Sequence, residues 1–417
     1  MRYMLALSCV FSWGMAGHVP TGHEREYADF QVRNEAYVVD KATLHGTRWS
    51  DMGSNKTMRN LRLGILVTLA LSLVPLAGCS GGGDGGGVTD EPKEIPLVTS
   101  FEVVIEPMYE SSPSTNYYFS EGRCAIRVDG KWGFIDRAGN EVIPPVYDSV
   151  YVFHEGLAAV KQGNKYGFIN TQGEVVIPFD YDYAVGMMEG LAFVQQGDKW
   201  GYINASNDLV IPFEFDMVES FSEGLASVKL GSKWGFIDPQ GKTVVDFSFK
   251  SVGSFSEGLA KVKEDDTWGF IDPHGNLVID FLYEPDDFDY FHSGFRDGLA
   301  HVKLGGKWGY INQDGEVVVP FTYDSANSFS GGLAPVTMGE KKGYINHAGE
   351  VVIDFIYDGT GYFAEEGVAM VNIDDKYGFI NKEGTVVVPI EYDKVFGFSD
   401  GLAAIVVDGK VGFISVS

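Results

Sequence analysis

One serine has the spacing that some hydrolases use for catalysis. The stretch "GFSDG" (397–401) matches G-x-S-x-G, a nucleophile elbow that works only as a strained strand-to-helix turn with histidine and acidic partners. The same stretch recurs as "SFSEG" from Ser220 and from Ser254, and no window shows a capped helical period. We therefore interpret it as a repeated link between strands and predict no catalytic serine.

Acidic residues offer a second candidate chemistry, because one of them precedes a glycine at regular intervals. A residue type that recurs in this way is typical of a turn or a solvated face. Alternatively, the carboxylates form a ladder that binds calcium weakly or binds a basic polymer. The acids are Glu121, Glu155, Glu189, Glu223, Glu257, Asp297, Glu366 and Asp400.

Other metal and cofactor chemistry has little support in the sequence. Asp286, Asp287 and Asp289 could bind a hard cation, but no Asp-x-Asp-x-Asp-Gly loop is present, so we expect a solvated charge cluster. No H-E-x-x-H motif occurs, and no glycine-rich segment joins a strand to a helix. We predict no metal site, no cofactor and surface positions for five histidines: His154, His274, His292, His301 and His347.

Tyrosines recur before an aspartate in the links between units. Aromatic rings at such positions can stack on sugars, but they can also pack between neighbouring units, and we favour the packing role. The tyrosines are Tyr147, Tyr181, Tyr323, Tyr357 and Tyr392.

Composition narrows the class of protein. The 417 residues are 45% hydrophobic and 14% aromatic with 53 glycines, which favours strands and turns over helices. The net charge of −27 argues against a nucleic-acid partner, because phosphate binding needs clustered Lys and Arg. Beyond residue 57 only Cys79 and Cys124 remain, so no disulfide framework is expected within the chain.

An internal repeat covers about three quarters of the chain. Pairs of an aromatic residue and glycine recur at intervals of 34, 34, 34, 34, 40, 34, 35 and 34 residues, with Lys342 and Val411 in place of two aromatics. The glycine of "EGLA" keeps the same intervals. The aromatic pairs are Trp132–Gly133, Tyr166–Gly167, Trp200–Gly201, Trp234–Gly235, Trp268–Gly269, Trp308–Gly309 and Tyr377–Gly378.

Each unit contains three stretches with the pattern of short strands. In "GLASVKLGSKWGFIDPQGKTVVDF" (224–247), alternating apolar residues, a turn, the aromatic-glycine strand, a turn at Gly241 and a third apolar run follow one another. We expect the glycine of the pair to let backbone or a ring approach, a structural role. The third strand is predicted to end at a proline, which lacks an N–H: Pro144, Pro178, Pro212, Pro320 and Pro389.

The units resemble the WG-repeat (KWG-repeat) family of bacterial proteins. The resemblance rests on "GKWGFID" from Gly130, "SKWGFID" from Ser232 and "GKWGYIN" from Gly306, each with "EGLA" or a variant before it. It is closest in the first six units and weaker at Lys342, Tyr377 and Val411. It implies a β-repeat scaffold that is usually exported or attached to other modules and has no established catalytic activity.

The fold class predicted is all-β, with about nine 34-residue units of three strands stacked in series. One unit cannot bury its own rings, so neighbouring units must cover them. The segment 102–110 resembles 141–148 and could complete the last unit, closing a propeller-like ring. Because three strands and nine units are unusual for a propeller, we favour an open β-solenoid or superhelix.

The segment 58–79 resembles the signal peptide of a bacterial lipoprotein. Arg59 and Arg62 precede an apolar run (63–76) that ends in "LAGC", a lipobox, so Cys79 is the expected lipidation site. The alternative is an uncleaved signal anchor. Ser80, by the same resemblance, suggests the outer membrane if the host is Gram-negative.

These features divide the chain into four parts. Residues 1–57 are interpreted as an upstream, mis-assigned start or a disordered segment, and 58–79 as the signal peptide. Residues 80–100 form a Gly-rich flexible tether, and 101–417 form the repeat domain. The predicted function is a lipid-anchored, non-catalytic binding or scaffold surface for an envelope protein or glycan. The alternatives are a structural spacer and, with less support, an enzyme whose site lies in the insertion 284–295.

Overall fold

The repeat domain is built entirely of strands, turns and links. The structure, a computed structural model, describes residues 100–112, 117–285 and 294–417. Thirty-five strands make nine antiparallel sheets. Within the described ranges, no helix has the length and apolar character that crossing a membrane requires.

The sheets are numbered as blades in chain order, starting from the first complete sheet. β1 (Phe101–Glu110) belongs to blade 9. The other strands are β2 (Phe119–Ser120), β3 (Arg123–Val128), β4 (Lys131–Ile135) and β5 (Glu141–Tyr147) in blade 1; β6 (Ser149–Val150), β7 (Leu157–Gln162), β8 (Lys165–Asn170) and β9 (Val175–Tyr181) in blade 2; β10 (Tyr183–Ala184), β11 (Leu191–Gln196), β12 (Lys199–Asn204) and β13 (Leu209–Phe215) in blade 3; β14 (Met217–Val218), β15 (Ala226–Leu230), β16 (Lys233–Ile237) and β17 (Thr243–Phe249) in blade 4; β18 (Ser251–Val252), β19 (Ala260–Glu264), β20 (Thr267–Ile271) and β21 (Leu277–Tyr283) in blade 5; β22 (Ala300–Leu304), β23 (Lys307–Ile311) and β24 (Val317–Tyr323) in blade 6; β25 (Ser325–Ala326), β26 (Leu333–Met338), β27 (Lys341–Asn346) and β28 (Val351–Tyr357) in blade 7; β29 (Gly359–Phe363), β30 (Val368–Ile373), β31 (Lys376–Asn381) and β32 (Val386–Tyr392) in blade 8; and β33 (Lys394–Val395), β34 (Ala403–Val407) and β35 (Lys410–Val416) in blade 9.

The short first strand, present in every described blade except blade 6, lies on the inside of the ring. In the link that follows it, a hydroxyl donates a hydrogen bond to the backbone of the same link in the next blade, as from Ser222 Oγ to Phe255 O at 2.9 Å. The fourth strand is an edge strand with exposed residues, for example Val175 and Val176. Wedge-shaped sheets around an axis approach most closely at the centre, so the linked first strands border the central channel.

The ring is closed, and the open solenoid that the sequence favoured is wrong. The N-terminal β1 pairs with the C-terminal β35 from Phe101↔Val416 to Glu110↔Lys410 and supplies the fourth strand of blade 9. Blade 9 then contacts blade 1, where Ser399 Oγ donates to Phe119 O at 2.5 Å. The alternative reading, a propeller-like ring closed by the segment around residues 102–110, describes the observed fold.

Two further expectations about the units are corrected. Most blades have four strands and not three, because a two-residue inner strand such as Ser251–Val252 is too short to give a periodic signal. The prolines do not end the outer strand: Pro144 lies in the middle of β5. An edge strand tolerates proline because its outward backbone groups have no neighbouring strand to pair with.

The core lies between the blades, so each blade covers its neighbour's rings. The aromatic of the third strand packs edge-to-face on a phenylalanine in the link after the next blade's inner strand, with Phe236 and Phe255 at 4.9 Å between ring centroids. Tyr202 and Phe221 repeat this contact at 5.1 Å. All four rings are almost fully buried. Serial packing thus provides the cover that a single unit lacks.

Candidate functional site

The acids that precede the glycines form a ring of links between blades. Each carboxylate accepts a hydrogen bond from the backbone N–H of the matching glycine in the next blade; Glu223 Oε2 and Gly258 N are 2.9 Å apart. Asp400 and Gly122, at 3.0 Å, close the ring. The acid–glycine pairs are Glu121–Gly156, Glu155–Gly190, Glu189–Gly224, Glu223–Gly258, Glu257–Gly298, Asp297–Gly332, Glu366–Gly401 and Asp400–Gly122. We call this set the acid clasps.

Most acids of the clasps adopt a backbone conformation that side chains disfavour. Seven of the eight have positive φ, for example 54° at Glu223, followed by a glycine that also has positive φ. Two such residues in a row make the tight hairpin turn of the primed type. Glycine or asparagine would be less strained there, so the repeated acid points to the hydrogen bond that it makes with the next blade.

One interface lacks a clasp, and the structure explains the gap. Between blades 7 and 8 the position of the acid is occupied by Gly331. At this interface an acid would accept a hydrogen bond from the N–H of Gly367. That N–H instead donates to Ala364 O at 2.9 Å within its own turn. The acid is therefore absent where its usual donor is already satisfied.

A second set of links lies at the opposite end of the blades. Asp216, at the end of β13, accepts from Lys199 Nζ of its own blade and from Gly231 N of the next blade, both at 2.6 Å. The lysine hydrogen bond is the main cause that lowers the pKa of Asp216. Equivalent aspartates with the same two kinds of donor are Asp148, Asp182, Asp324, Asp358 and Asp393. We call these the aspartate clamps.

One aspartate clamp is present with its charges exchanged. Between blades 4 and 5 the clamp position is Lys250, and the turn residue facing it is Asp265. Their Nζ and Oδ1 atoms are 3.1 Å apart. The freed lysine of blade 4, Lys233, donates to Ser248 O at 2.8 Å. The link between blades is preserved although both residue types have changed.

The glycine of the aromatic pair lies against the backbone of its own blade. A Cβ on Gly235 would lie 2.7 Å from Val245 O in the outer strand, where the register shifts between Trp234↔Phe249 and Phe236↔Val245. The aromatic itself is buried at most positions, as Trp234 shows at 6% exposure. The aromatic-glycine pair therefore has a packing role at the positions given above.

The other candidate residues are dispersed around the ring. Ser399 of "GFSDG" lies in a hairpin link and bonds Phe119 O, so no nucleophile elbow forms there. Four of the five link tyrosines are buried and Tyr392 is half-buried, and they pack towards the next blade, as Tyr147 does on Phe179 at 6.4 Å.

The described histidines do not converge. His301 is buried, 5.4 Å from the Trp308 ring, contrary to the expectation of a surface position. His347 stacks on Phe329 at 4.4 Å. Across residues 100–112, 117–285 and 294–417, no three His, Cys, Asp or Glu side chains lie close enough to bind a metal. Cys79, Asp286, Asp287, Asp289 and His292 lie outside the described residues.

The positions that differ most between blades lie in or next to the short inner strand and were missed in the sequence. Two residues, which we call the inner pair, precede a buried residue that is phenylalanine in eight blades and Met187 in blade 3. The inner pairs are Tyr117–Tyr118, Tyr151–Val152, Val185–Gly186, Glu219–Ser220, Gly253–Ser254, Asn327–Ser328, Gly361–Tyr362 and Phe396–Gly397; in blade 6 only Gly294 is described. Variation at one fixed position of a repeat is the signal that could have revealed them.

Charge and aromatic residues are unevenly distributed among the inner pairs. Glu219 is the only acid among the described inner pairs; it is half-buried, and burial raises its pKa to about 7. Tyr362 is 42% exposed, yet desolvation raises its pKa. The inner pairs are thus the candidate site, and they suit binding more than acid–base catalysis, since no second titratable group faces Glu219 at hydrogen-bonding distance in the described residues.

Comparisons with solved structures show distant similarities at low sequence identity. An eukaryotic initiation factor matches with a TM-score of 0.48 at 10% identity, covering 72% of this chain and 98% of that one. A virginiamycin B lyase from Staphylococcus aureus matches with a TM-score of 0.32 at 14% identity, covering 64% and 93%. Hsv2 from Kluyveromyces lactis matches with a TM-score of 0.34 at 11% identity, covering 52% and 86%. None of them assigns an activity to this chain.

Comparison with protein families gives a specific result. No curated protein matches the sequence. The family described as "WG containing repeat" matches nine times, over residues 99–132, 132–166, 166–200, 200–234, 234–268, 268–308, 308–341, 343–377 and 377–410. These matches run through all nine blades, including the units around Lys342 and Val411 that lack the aromatic. The chain belongs to the WG-repeat family.

Proposed function

We propose that this protein is a non-catalytic binding or scaffold propeller of the bacterial cell envelope. The observation that carries the proposal is the contrast within the ring: repeated residues hold the blades together, whereas the inner pairs differ from blade to blade. A rigid closed frame with a variable inner surface suits recognition of a partner. The acids offered for cation binding are engaged in clasps, and catalysis would need a cluster of acid–base groups.

The partner is an envelope protein or an envelope glycan. Anionic polymers are disfavoured, since the net charge of −27 repels them. The test is capture of isolated peptidoglycan and of envelope extract on the immobilised 88–417 fragment. Retention of a defined glycan or protein above the level seen for an unrelated acidic protein supports binding. Retention of neither favours the second candidate, a spacer that holds other components away from the membrane.

We also propose that a lipid on Cys79 anchors the ring through the Gly-rich tether. The support is the order of positive residues, apolar run and lipobox in the sequence. A chain of about 20 flexible residues has a root-mean-square span of roughly 25 Å, enough to hold the ring clear of the bilayer surface. Labelled palmitate should enter the wild-type protein and not the Cys79→Ala variant. Equal incorporation into both would remove the anchor.

Weak calcium binding remains a prediction. A ligand that binds only the folded state raises the melting temperature in a concentration-dependent way. Because the carboxylates of the clasps already accept backbone hydrogen bonds, we expect calcium to raise the melting temperature little. A rise that saturates with calcium would instead support the acidic ladder.

A further inference from the structure

We propose that the inner ends of blades 2, 3 and 4 form a binding site for a neutral saccharide. The site consists of four rings that we call the aromatic row, Tyr151, Tyr183, Trp200 and Phe193, together with the carboxyl group of Glu219. The inference rests on the proposed binding function and names its ligand class.

The aromatic row is continuous across two blades. Ring centroids are 6.2 Å apart for Tyr151 and Tyr183, 5.5 Å for Tyr183 and Trp200, and 5.6 Å for Trp200 and Phe193. The two tyrosine hydroxyls are hydrogen-bonded to each other, which fixes the rings relative to one another. Three members, Tyr151, Tyr183 and Trp200, are half-buried and keep part of their surface accessible. The row is a pre-formed, partly accessible apolar surface.

Apart from Trp200, which belongs to a repeated aromatic-glycine pair, the rings of the row are not part of the repeat. The position of Tyr183 is serine in blades 2, 5 and 7 (Ser149, Ser251 and Ser325). The position of Phe193 is occupied elsewhere by small, polar or flexible residues: Ala125, Ala159, Ser227, Lys261, His301, Pro335, Met370 and Ala404. The ring therefore closes at other interfaces without these aromatics. Their accumulation at one place is not required by the fold.

Glu219 places a polar acceptor in blade 4, the blade that follows the row. The hydroxyl of Tyr202, in the same blade as Trp200, donates to the backbone carbonyl of Glu219 at 2.7 Å, so blade 4's inner strand lies directly against blade 3. No described residue donates a hydrogen bond or forms an ion pair with the Glu219 carboxyl. Ser227, whose carbonyl accepts from Glu219 N–H at 3.0 Å, is buried with its Oγ unbonded within the described ranges. The Glu219 carboxyl and the Ser227 hydroxyl thus have no hydrogen-bond partner among the described residues.

These groups together fit the chemistry of a sugar. A pyranose presents an apolar C–H face that stacks on aromatic rings and hydroxyls that donate to a carboxyl oxygen. An anionic ligand would meet Glu219 and the negative field of the protein. A purely apolar ligand would leave Glu219 without a donor, and a half-buried acceptor without a donor is costly. The neutral saccharide satisfies both parts of the site.

The test is calorimetric titration of the full chain, in a detergent without a sugar headgroup, with chitotriose, maltotriose and anionic trigalacturonate. We expect one neutral trisaccharide to bind and the anionic one to bind at least about tenfold more weakly. Tyr183→Ser should weaken binding at least about tenfold with little change in melting temperature, since serine is the residue at this position in three other blades. Glu219→Gln should weaken it several-fold, because an amide is a poorer acceptor.

The control is Phe355→Ser, which removes a half-buried ring from the outer strand β28, outside the inner pairs and the aromatic row, and should leave the affinity unchanged. If no neutral trisaccharide binds at millimolar concentration, or if Tyr183→Ser binds as the wild type does, the saccharide site is refuted. Binding of tetramethylammonium in its place, dependent on Tyr183, would refute it in favour of a cation site. Should Tyr183→Ser fail to fold, the Glu219→Gln result decides alone. Capture of an envelope protein by a chain that binds no sugar would leave the proposed function standing.

Discussion

Two sets of positions in the same ring follow opposite rules. The clasps, the clamps and the glycine of the aromatic pair recur in nearly every blade, and their partners are backbone groups or charges of the same or the next blade. The inner pairs recur in none: Glu219–Ser220 in blade 4 corresponds to Asn327–Ser328 in blade 7. Repetition marks the residues that hold the ring, and its absence marks the residues that are free to specialise.

Substitutions at two glycines in neighbouring blades should show the largest difference in stability between the repeated and the variable positions. On Gly235, of the repeated pair, a Cβ would lie 2.7 Å from Val245 O, a backbone atom that cannot move aside. On Gly253, of an inner pair, it would make only ordinary contacts, with Lys261 Cβ at 3.8 Å and Lys261 O at 3.9 Å. We expect Gly235→Ala to lower the free energy of unfolding in urea by about 3 kcal/mol or more. Gly253→Ala should change it by less than about 0.5 kcal/mol. Similar losses for both would contradict the division into two sets.

The inner pair also contains a residue that should oppose folding. Burial raises the pKa of Glu219 to about 7 from its ordinary value of 4.5, so the folded state holds the proton more tightly than the unfolded chain does. Ionising the buried Glu219 carboxyl therefore destabilises the folded state. This loss of stability is absent below pH 4.5 and grows as the pH rises to about 7 and beyond. Glu219→Gln should therefore be more stable than the wild type by about 2 kcal/mol at pH 8 and equal to it at pH 4. Thermal unfolding at both pH values measures this, with Glu214→Gln, in the exposed outer strand, as the unchanged control. A pH-independent difference would show that the carboxyl is not desolvated.

The sequence predicted the all-β class, the nine units and the packing between them, because each rests on a pattern repeated many times. It gave closure only as the alternative to an open array, because closure depends on one pairing, Phe101↔Val416, between opposite ends of the repeat domain. The role of Glu223 was also hidden, since its partner N–H belongs to the next blade, 35 residues away. The inner pairs looked like link residues because they lie in or next to strands of only two residues, and so short a strand has no measurable period in the sequence. Contacts between units cannot be read from the pattern within one unit.

In the acid clasps, one repeated residue has two opposing effects on stability, a favourable hydrogen bond and an unfavourable backbone conformation. At Glu223 the carboxylate bonds stabilise the interface, whereas the positive φ of 54° strains the backbone. Glu223→Ala removes the bonds and keeps the strain, so we expect a loss of about 1.5 kcal/mol. Glu223→Gly removes both, and the relief of about 1 kcal/mol should leave a loss near 0.5 kcal/mol. Urea unfolding of the two variants separates the terms. A glycine variant less stable than the alanine variant would show that strain is not present at this turn.

The exchanged clamp between blades 4 and 5 tests whether the Lys250–Asp265 ion pair links the blades as an aspartate clamp does at the other interfaces. Lys250→Asp places two carboxylates together at Asp265 and should cost somewhat under 1 kcal/mol, since both groups are exposed. Asp265→Gly alone removes the ion pair and should cost less. The double variant recreates the arrangement of Asp216 with Lys199 and Gly231, because Lys233 is available to turn towards the new carboxylate. Its stability should return to within about 0.3 kcal/mol of the wild type, giving a favourable coupling in the double-mutant cycle. A double variant whose losses simply add would mean that the exchanged pair is a surface coincidence and that blades 4 and 5 are held by their buried rings alone.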